Sequence, residues 1–252
     1  MAELITKNIT KRFDGKTILD GISIEVHDKE LVCLLGVSGA GKTTLFNVIS
    51  GLLKPEEGSV FLNGKEITGE AGHISYMLQK DLLLPYKTVL DNVALPLIIQ
   101  GEKKKKARQK AISYFKDFGL EGTEDKYPSQ LSGGMRQRTA LLRTYLFSES
   151  KRGTGIALLD EPFSALDTIT KSSIHEWYLD VMEKIHLSTI FITHDIDEAI
   201  LLSDRIYLLT GKPGQVTDEI IIEEPKPRRK DFNLTEEFLS YKKKIIEKLG
   251  TI

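Results

Sequence analysis

The stretch Leu31-Val32-Cys33-Leu34-Leu35-Gly36-Val37-Ser38-Gly39-Ala40-Gly41-Lys42-Thr43-Thr44 decides the fold of this chain. Its first five residues are apolar without alternation, the pattern of a strand buried on both faces. The eight from Gly36 to Thr43 fit G-x-x-x-x-G-K-[ST] at every position. Glycines let such a loop curl so that successive N–H groups point inward at phosphate oxygens. The helix expected from Lys42 to about Ser50 adds the positive end of its dipole. Gly36, Ser38, Gly39, Ala40 and Gly41 then line a phosphate cradle. Lys42 reaches the β- and γ-phosphates, the Thr43 hydroxyl holds Mg²⁺, and Thr44 sits at the same helix end.

A second apolar run, Ile156-Ala157-Leu158-Leu159, ends in Asp160-Glu161. Ligands sit at the carboxyl ends of strands in parallel sheets. This location assigns Asp160 to the Mg²⁺ and Glu161 to the attacking water as general base. A third run, Thr189–Thr193, ends at His194-Asp195, where a histidine can bond a γ-phosphate. His27, His73, His175 and His186 belong to no such constellation and read as structural.

The chain around these motifs alternates strand and helix, which predicts a parallel sheet covered on both faces. Asp14-Gly15, Asp20-Gly21 and Asn63-Gly64 read as turns among short strands. Ala107, Ala111, Phe115 and Phe118 place one helix over 104–118, opened by the run Lys103–Lys106. Residues 171–186 carry Ile174, Trp177, Tyr178, Val181, Met182 and Ile185 at helical spacing, with Trp177 on the core face. Arg205–Leu209 is a further strand. Beyond Lys212, a last helix is expected from Asn233, with Glu236 completing a capping-box pair.

Composition excludes several classes of function. The 252 residues are 40% hydrophobic and 28% charged, as in ordinary globular proteins. Thirty-five basic against thirty-six acidic residues give a net charge of −1, unlike a protein that binds nucleic acid through its phosphates. The single cysteine, Cys33, excludes an internal disulfide and a cysteine-cluster zinc site, and reads as a buried hydrophobe. The apolar stretch near 93–99 contains Pro96 and is far short of the ~20 residues of a spanning helix. Met1–Lys7 lacks the apolar core of a signal peptide. A cytoplasmic protein is expected, reaching a membrane only through a partner.

Residues 131–135, Leu-Ser-Gly-Gly-Met, turn the phosphate loop into something more specific. They resemble the signature of ATP-binding-cassette (ABC) ATPases and stand between the loop and the acidic strand, in that family's order. Other landmarks match. Phe13 resembles the aromatic that stacks on adenine, Gln79 the Q-loop glutamine, Ser164-Ala165-Leu166-Asp167 the D-loop, and His194 the switch histidine. The resemblance covers residues 3–210. It implies an α/β P-loop NTPase core with a mostly parallel sheet, an antiparallel β subdomain and an inserted helical subdomain. One ABC ATPase domain spans 1–252: core 1–87 and 148–211, helical subdomain about 88–147, C-terminal extension 212–252. Two departures stand out. Met135 replaces the family's common glutamine, and the polar link 148–155 is longer than expected.

The family assigns ATP to Phe13, the phosphate loop and the Ser132-Gly133-Gly134 helix start of a second copy. Mg²⁺ goes to Thr43, Gln79 and Asp160, and catalysis to Glu161, Gln79 and His194. ATP is thus sandwiched between two head-to-tail subunits that close on binding and open on hydrolysis. A cassette without a membrane span leans towards an importer with separate permease subunits and an extracytoplasmic substrate-binding protein. Asp81–Val89 and Gly211–Val216 resemble the nitrate/sulfonate/taurine group, which includes importers of thiamine-pyrimidine precursors. The apolar residues 82–86 would form part of a groove for a permease helix. A soluble ATPase of cofactor assembly and a lipoprotein-release or exporter cassette stay open on the sequence.

Overall fold

A computed structural model of the chain describes residues 3–150, 154–164, 168–229 and 231–250, the side chains of 168–174 excepted. D-loop residues 165–167, Ile174 and residues 151–153 of the polar link therefore lie outside the described set. The chain divides into two compact units, Met1–Gly72 with Ser188–Ile252, and His73–Leu187. The first begins with β1 (Leu4–Phe13), β2 (Lys16–Ile22), β3 (Glu25–Val26) and β4 (Leu31–Gly36). Helix α1 (Lys42–Ile49) and strands β5 (Glu57–Leu62) and β6 (Lys65–Glu66) follow. The second unit runs β7 (Ser75–Met77), α2 (Val89–Ile99), α3 (Lys104–Ile112), α4 (Gly133–Ser148), β8 (Ile156–Asp160) and α5 (Thr168–Ile185). The chain then returns to the first with β9 (Ser188–Thr193), α6 (Ile196–Leu202), β10 (Arg205–Thr210), β11 (Gln215–Ile221) and α7 (Glu236–Gly250).

In the first unit, β10, β4 and β9 run parallel, and β11 joins β10 antiparallel. Every residue of β4 is buried, as its unbroken apolar run requires, and Cys33 is fully enclosed with its thiol pushed up by that burial. The antiparallel sheet has the order β2-β1-β5-β6, with β3 also paired to β1. Asp14-Gly15 and Asn63-Gly64 turn its hairpins with φ positive at both residues, the two-residue geometry that suits twisted strands. Asp20-Gly21 is not a turn. It lies inside β2, where the Asp20 N–H bonds Gly214 O at 3.0 Å.

The C-terminal extension packs within the first unit. The last helix starts later than its sequence suggested: Thr235, not Asn233, caps it by accepting from Phe238 N, and Phe232–Leu234 form a separate 3₁₀ turn. Phe232, Phe238 and Ile245 are buried. Lys226 pairs with Asp204 at 2.7 Å, and Lys242 with Asp197 at 2.7 Å.

In the second unit, α3 stops at Ile112 rather than near residue 118. The Ser113 hydroxyl bonds Lys110 O, offering the backbone an exit from the helix, and the chain reaches Gly119 through turns. Ala107, Ala111, Phe115 and Phe118 are still buried, so the apolar spacing located the core but not the helix end. Trp177 is half-buried rather than core. Its indole N–H donates to Asp117 O at 3.1 Å, and the Arg138 guanidinium lies 4.6 Å from its ring centre. Among the described residues no helix is long and apolar enough to cross a membrane.

Replacing Phe118 by Ala will lower unfolding stability by about 3–5 kcal/mol, read from denaturant titration. Burial pulls the Lys226 pKa down to about 8 against the opposing pull of Asp204. The unfolded chain then binds more protons than the folded one above that pH, so this residue makes stability rise as pH increases from about 8 to 10. Thermal melts of Lys226→Met will lack that rise relative to the native chain.

Candidate functional site

The first unit carries Phe13, the phosphate loop and His194. The loop leaves β4 at Gly36, where a Cβ would fall 2.1 Å from Leu209 O, so only glycine lets β4 and β10 approach there. Gly41 enters α1 at φ +94, a conformation that side chains rarely adopt. Lys42 is nearly buried and donates to Gly36 O at 2.7 Å and Val37 O at 3.0 Å, folding back over the loop it follows. Ser38 and Thr43 are exposed, Ala40 is buried, and Thr44 is half-buried.

Strand register places His194. Leu35 pairs with Thr193, so the next residues, Gly36 and His194, leave the sheet side by side at its carboxyl edge. His194 is exposed, while the turn beneath it is fixed from inside. The Thr193 hydroxyl donates to the buried Glu198 carboxylate at 2.6 Å and accepts from Asp195 N at 3.0 Å. Asp195 caps α6 by accepting from Asp197 N and Glu198 N. Phe13 is 43% exposed at the end of β1, with the Lys11 ammonium over its ring 5.2 Å from the centre.

The second unit carries Gln79, Ser132, Gly133, Gly134, Asp160 and Glu161. Met77 pairs with Leu159 in the parallel β7–β8 ladder, which carries Gln79 alongside Glu161 two residues on. The Gln79 amide donates to Glu161 Oε2 at 2.9 Å and keeps its own Oε1 as an acceptor. Glu161 itself has φ 47, uncommon for a residue with a side chain and held by its surroundings. Ser164 helps, its N–H and hydroxyl both donating to Glu161 O. Asp160 is buried, and the Tyr76 hydroxyl stands 3.5 Å from its Oδ2. Burial first, then the Asp160 charge, push the Tyr76 phenol well up, so it stays a donor.

Ser132 caps α4, its Oγ accepting from Met135 N at 3.3 Å. Its proton remains available to donate, beside the unbonded N–H groups that begin any helix. Residues 79–88 are tied to this helix. Arg143 donates to Asp81 O at 2.6 Å and Leu82 O at 2.9 Å, and Arg136 pairs with Asp81 at 3.3 Å. Asn92, fully buried, bonds Leu84 through both amide atoms and also reaches Lys87 O and Thr88 O. Of the apolar residues 82–86, Leu82 and Tyr86 are exposed at 52% and 72%, whereas Leu83 is buried.

Sequence reasoning missed Tyr76, Asn92, Arg136 and Arg143. Only Arg143 gave a signal, a lone cation between Ala140-Leu141-Leu142 and Tyr145-Leu146. The donors fit the groups expected. The loop offers N–H groups and a lysine to phosphate. In the second unit Gln79 and Asp160 carry amide and carboxylate oxygens, and in the first Thr43 carries a hydroxyl, each the kind of donor that a hard cation such as Mg²⁺ takes. Among the described residues no three or more His, Cys, Asp or Glu cluster as a metal site of their own.

Comparison with known proteins adds an independent line. Residues 19–164 match the model of the ABC transporter family. The formylaminopyrimidine import ATP-binding protein ThiZ of Halalkalibacterium halodurans is 46% identical over 213 residues, 84% of this chain and 81% of that one. The aliphatic sulfonates import ATP-binding protein SsuB of Bacillus cereus is 35% identical over 96% of this chain and 92% of its own. The nitrate import ATP-binding protein NrtD of Synechocystis is 36% identical over 94% and 91%. Among solved structures, the dimeric post-hydrolysis state of the cassette MJ0796, bound to ADP and Pi, superposes with a TM-score of 0.74 at 30% identity, covering 87% of this chain and 99% of that one.

Replacing Arg143 by Met keeps the aliphatic stem and removes two charge-assisted bonds to loop carbonyls. It will cost about 2 kcal/mol of stability. Hydrogen exchange will show faster amide exchange at Leu83 and Leu84 than in α4.

Proposed function

This chain belongs to the ABC transporter family as an ATP-hydrolysing cassette, and we propose that it is the energy-coupling subunit of an importer, working as an ATP-closed homodimer on separate permease subunits. One observation carries the reading furthest. The carboxylate at the end of a buried strand, Glu161, is held at positive φ and bonded by Gln79. A carboxylate so oriented can accept the proton of a water attacking the γ-phosphorus.

The remaining roles follow from the chemistry of each residue. Phe13 stacks on adenine. Backbone N–H groups from Gly36 to Gly41 and the Lys42 ammonium hold the phosphates against the start of α1. Thr43, Gln79 and Asp160 carry the oxygens that would hold Mg²⁺. Such an ion would supply charge neutralisation to the bound phosphates. Tyr76 keeps Asp160 in place, and His194 donates to the γ-phosphate as the bond to the β-phosphate breaks. Ser132, Gly133 and Gly134 present a second phosphate-facing helix start, which the family uses against the nucleotide of the opposite subunit.

The tie between the Gln79 loop and α4 supports coupling. Arg136 and Arg143 join the segment that touches Glu161 to the helix that begins at Ser132, so movement of one is felt by the other. The same segment exposes Leu82 and Tyr86, a surface suited to a permease helix. The cargo then touches the permease and an extracytoplasmic binding protein, not this chain. The three relatives named for import of a formylaminopyrimidine, sulfonates and nitrate support the importer direction. The chain would act at the cytoplasmic face of the membrane.

Glu161→Gln will lose about 10²–10⁴-fold in hydrolysis rate while still binding MgATP. In sedimentation the same variant will shift from monomer towards dimer on adding MgATP. Full hydrolysis by Glu161→Gln would remove the general-base assignment, and a profile indifferent to MgATP would remove the dimer.

A further inference from the structure

The turn between β10 and β11, Gly211-Lys212-Pro213-Gly214, is built against the phosphate loop. Gly214 is buried, and a Cβ on it would fall 2.0 Å from Ala40 O in that loop. Its backbone is locked on the other side: Gly214 N donates to Ile18 O at 2.8 Å, and Asp20 N donates to Gly214 O at 3.0 Å. Gln215 adds a side-chain bond to Asp20 at 2.8 Å. The turn is therefore wedged between β2 and the loop with no room to slide. Its lysine is carried to a defined place. Lys212 Cε lies 3.9 Å from where a Cβ on Gly39 would stand, at the outer bend of the loop.

Lys42 and Lys212, both beside this loop, differ in what occupies them. Lys42 is bonded to loop carbonyls. Lys212 is exposed, and among the described residues no carboxylate lies within ion-pair distance of it. An ammonium on a flexible stem beside a phosphate cradle, with no carboxylate among the described residues at ion-pair distance, is a cation ready for an anionic ligand.

We propose that Lys212 is a further nucleotide-binding residue, contacting the phosphates of ATP held by the loop, and that Gly214 is the positioning residue that keeps both Lys212 and Ala40 in place. The assignment rests on the ATP-binding role of the loop.

The test is calorimetric titration of the full chain with MgATP at about 50 mM and about 500 mM salt. Lys212→Ala will bind MgATP about tenfold more weakly at low salt. Lys212→Glu will bind more weakly still, and the differences will shrink at high salt, where the Debye length falls to a few Å. Gly214→Ala will lose affinity even with an unchanged Lys212, and its melting temperature is read alongside. If that variant does not fold, the exposed Lys212 variants decide alone. Native affinity for MgATP in Lys212→Glu at low salt overturns the proposal. Lys42→Ala serves as the reference. If it too keeps native affinity, the ATP assignment of the loop fails, which is a different failure from that of Lys212.

Discussion

The close approach of β4 and β10 at Gly36 is the constraint on which the rest of the site depends. Leu209 O occupies the space that any side chain at 36 would need. Without that approach the loop could not leave the sheet at the height where His194 and the β10–β11 turn also leave it. Lys42 then closes the curl by bonding the carbonyls of Gly36 and Val37. A row of inward N–H groups is stable only when the carbonyls they displace find other donors, and the lysine provides these. Sheet register, loop shape and lysine position are thus one arrangement.

The second unit solves a different problem, that of fixing a carboxylate at the end of a buried strand. Glu161 sits where the backbone is strained, and two neighbours hold it there, Gln79 by donating to its carboxylate and Ser164 by donating its N–H and hydroxyl to its carbonyl. Gln79 is in turn on a segment anchored by Asn92, Arg136 and Arg143. Anchoring of this kind makes the segment respond as a body rather than residue by residue. A subunit that converts hydrolysis into movement needs that property, because a mobile loop would dissipate the signal locally.

Much of this was legible in the sequence because it is local. The phosphate loop, the acidic strand end and the hairpin turns at Asp14-Gly15 and Asn63-Gly64 are each set by a few adjacent residues. The parallel core followed from unbroken apolar runs, and the family resemblance ordered the motifs along the chain. What escaped is long-range or turns on competition between neighbours. Arg143 and Asp81 are 62 residues apart, and nothing near either announces the other. Thr235 and Asn233 are both good caps, and the 3₁₀ turn at Phe232–Leu234 selects the later one. Asp20-Gly21 has the composition of a turn, but its N–H is claimed by Gly214 from the far end of the chain. Trp177 shared the apolar spacing of its helix, yet its N–H and the Arg138 cation draw it to the edge of the core.

As the importer subunit proposed, this cassette would convert ATP hydrolysis into transport through separate membrane subunits. Affinity purification of the tagged chain from detergent-solubilised source cells, with mass identification of what accompanies it, tests that claim most directly. The account predicts a multi-span permease in the eluate, retained with MgATP and stoichiometric with the cassette. A soluble assembly partner with no membrane protein would contradict it.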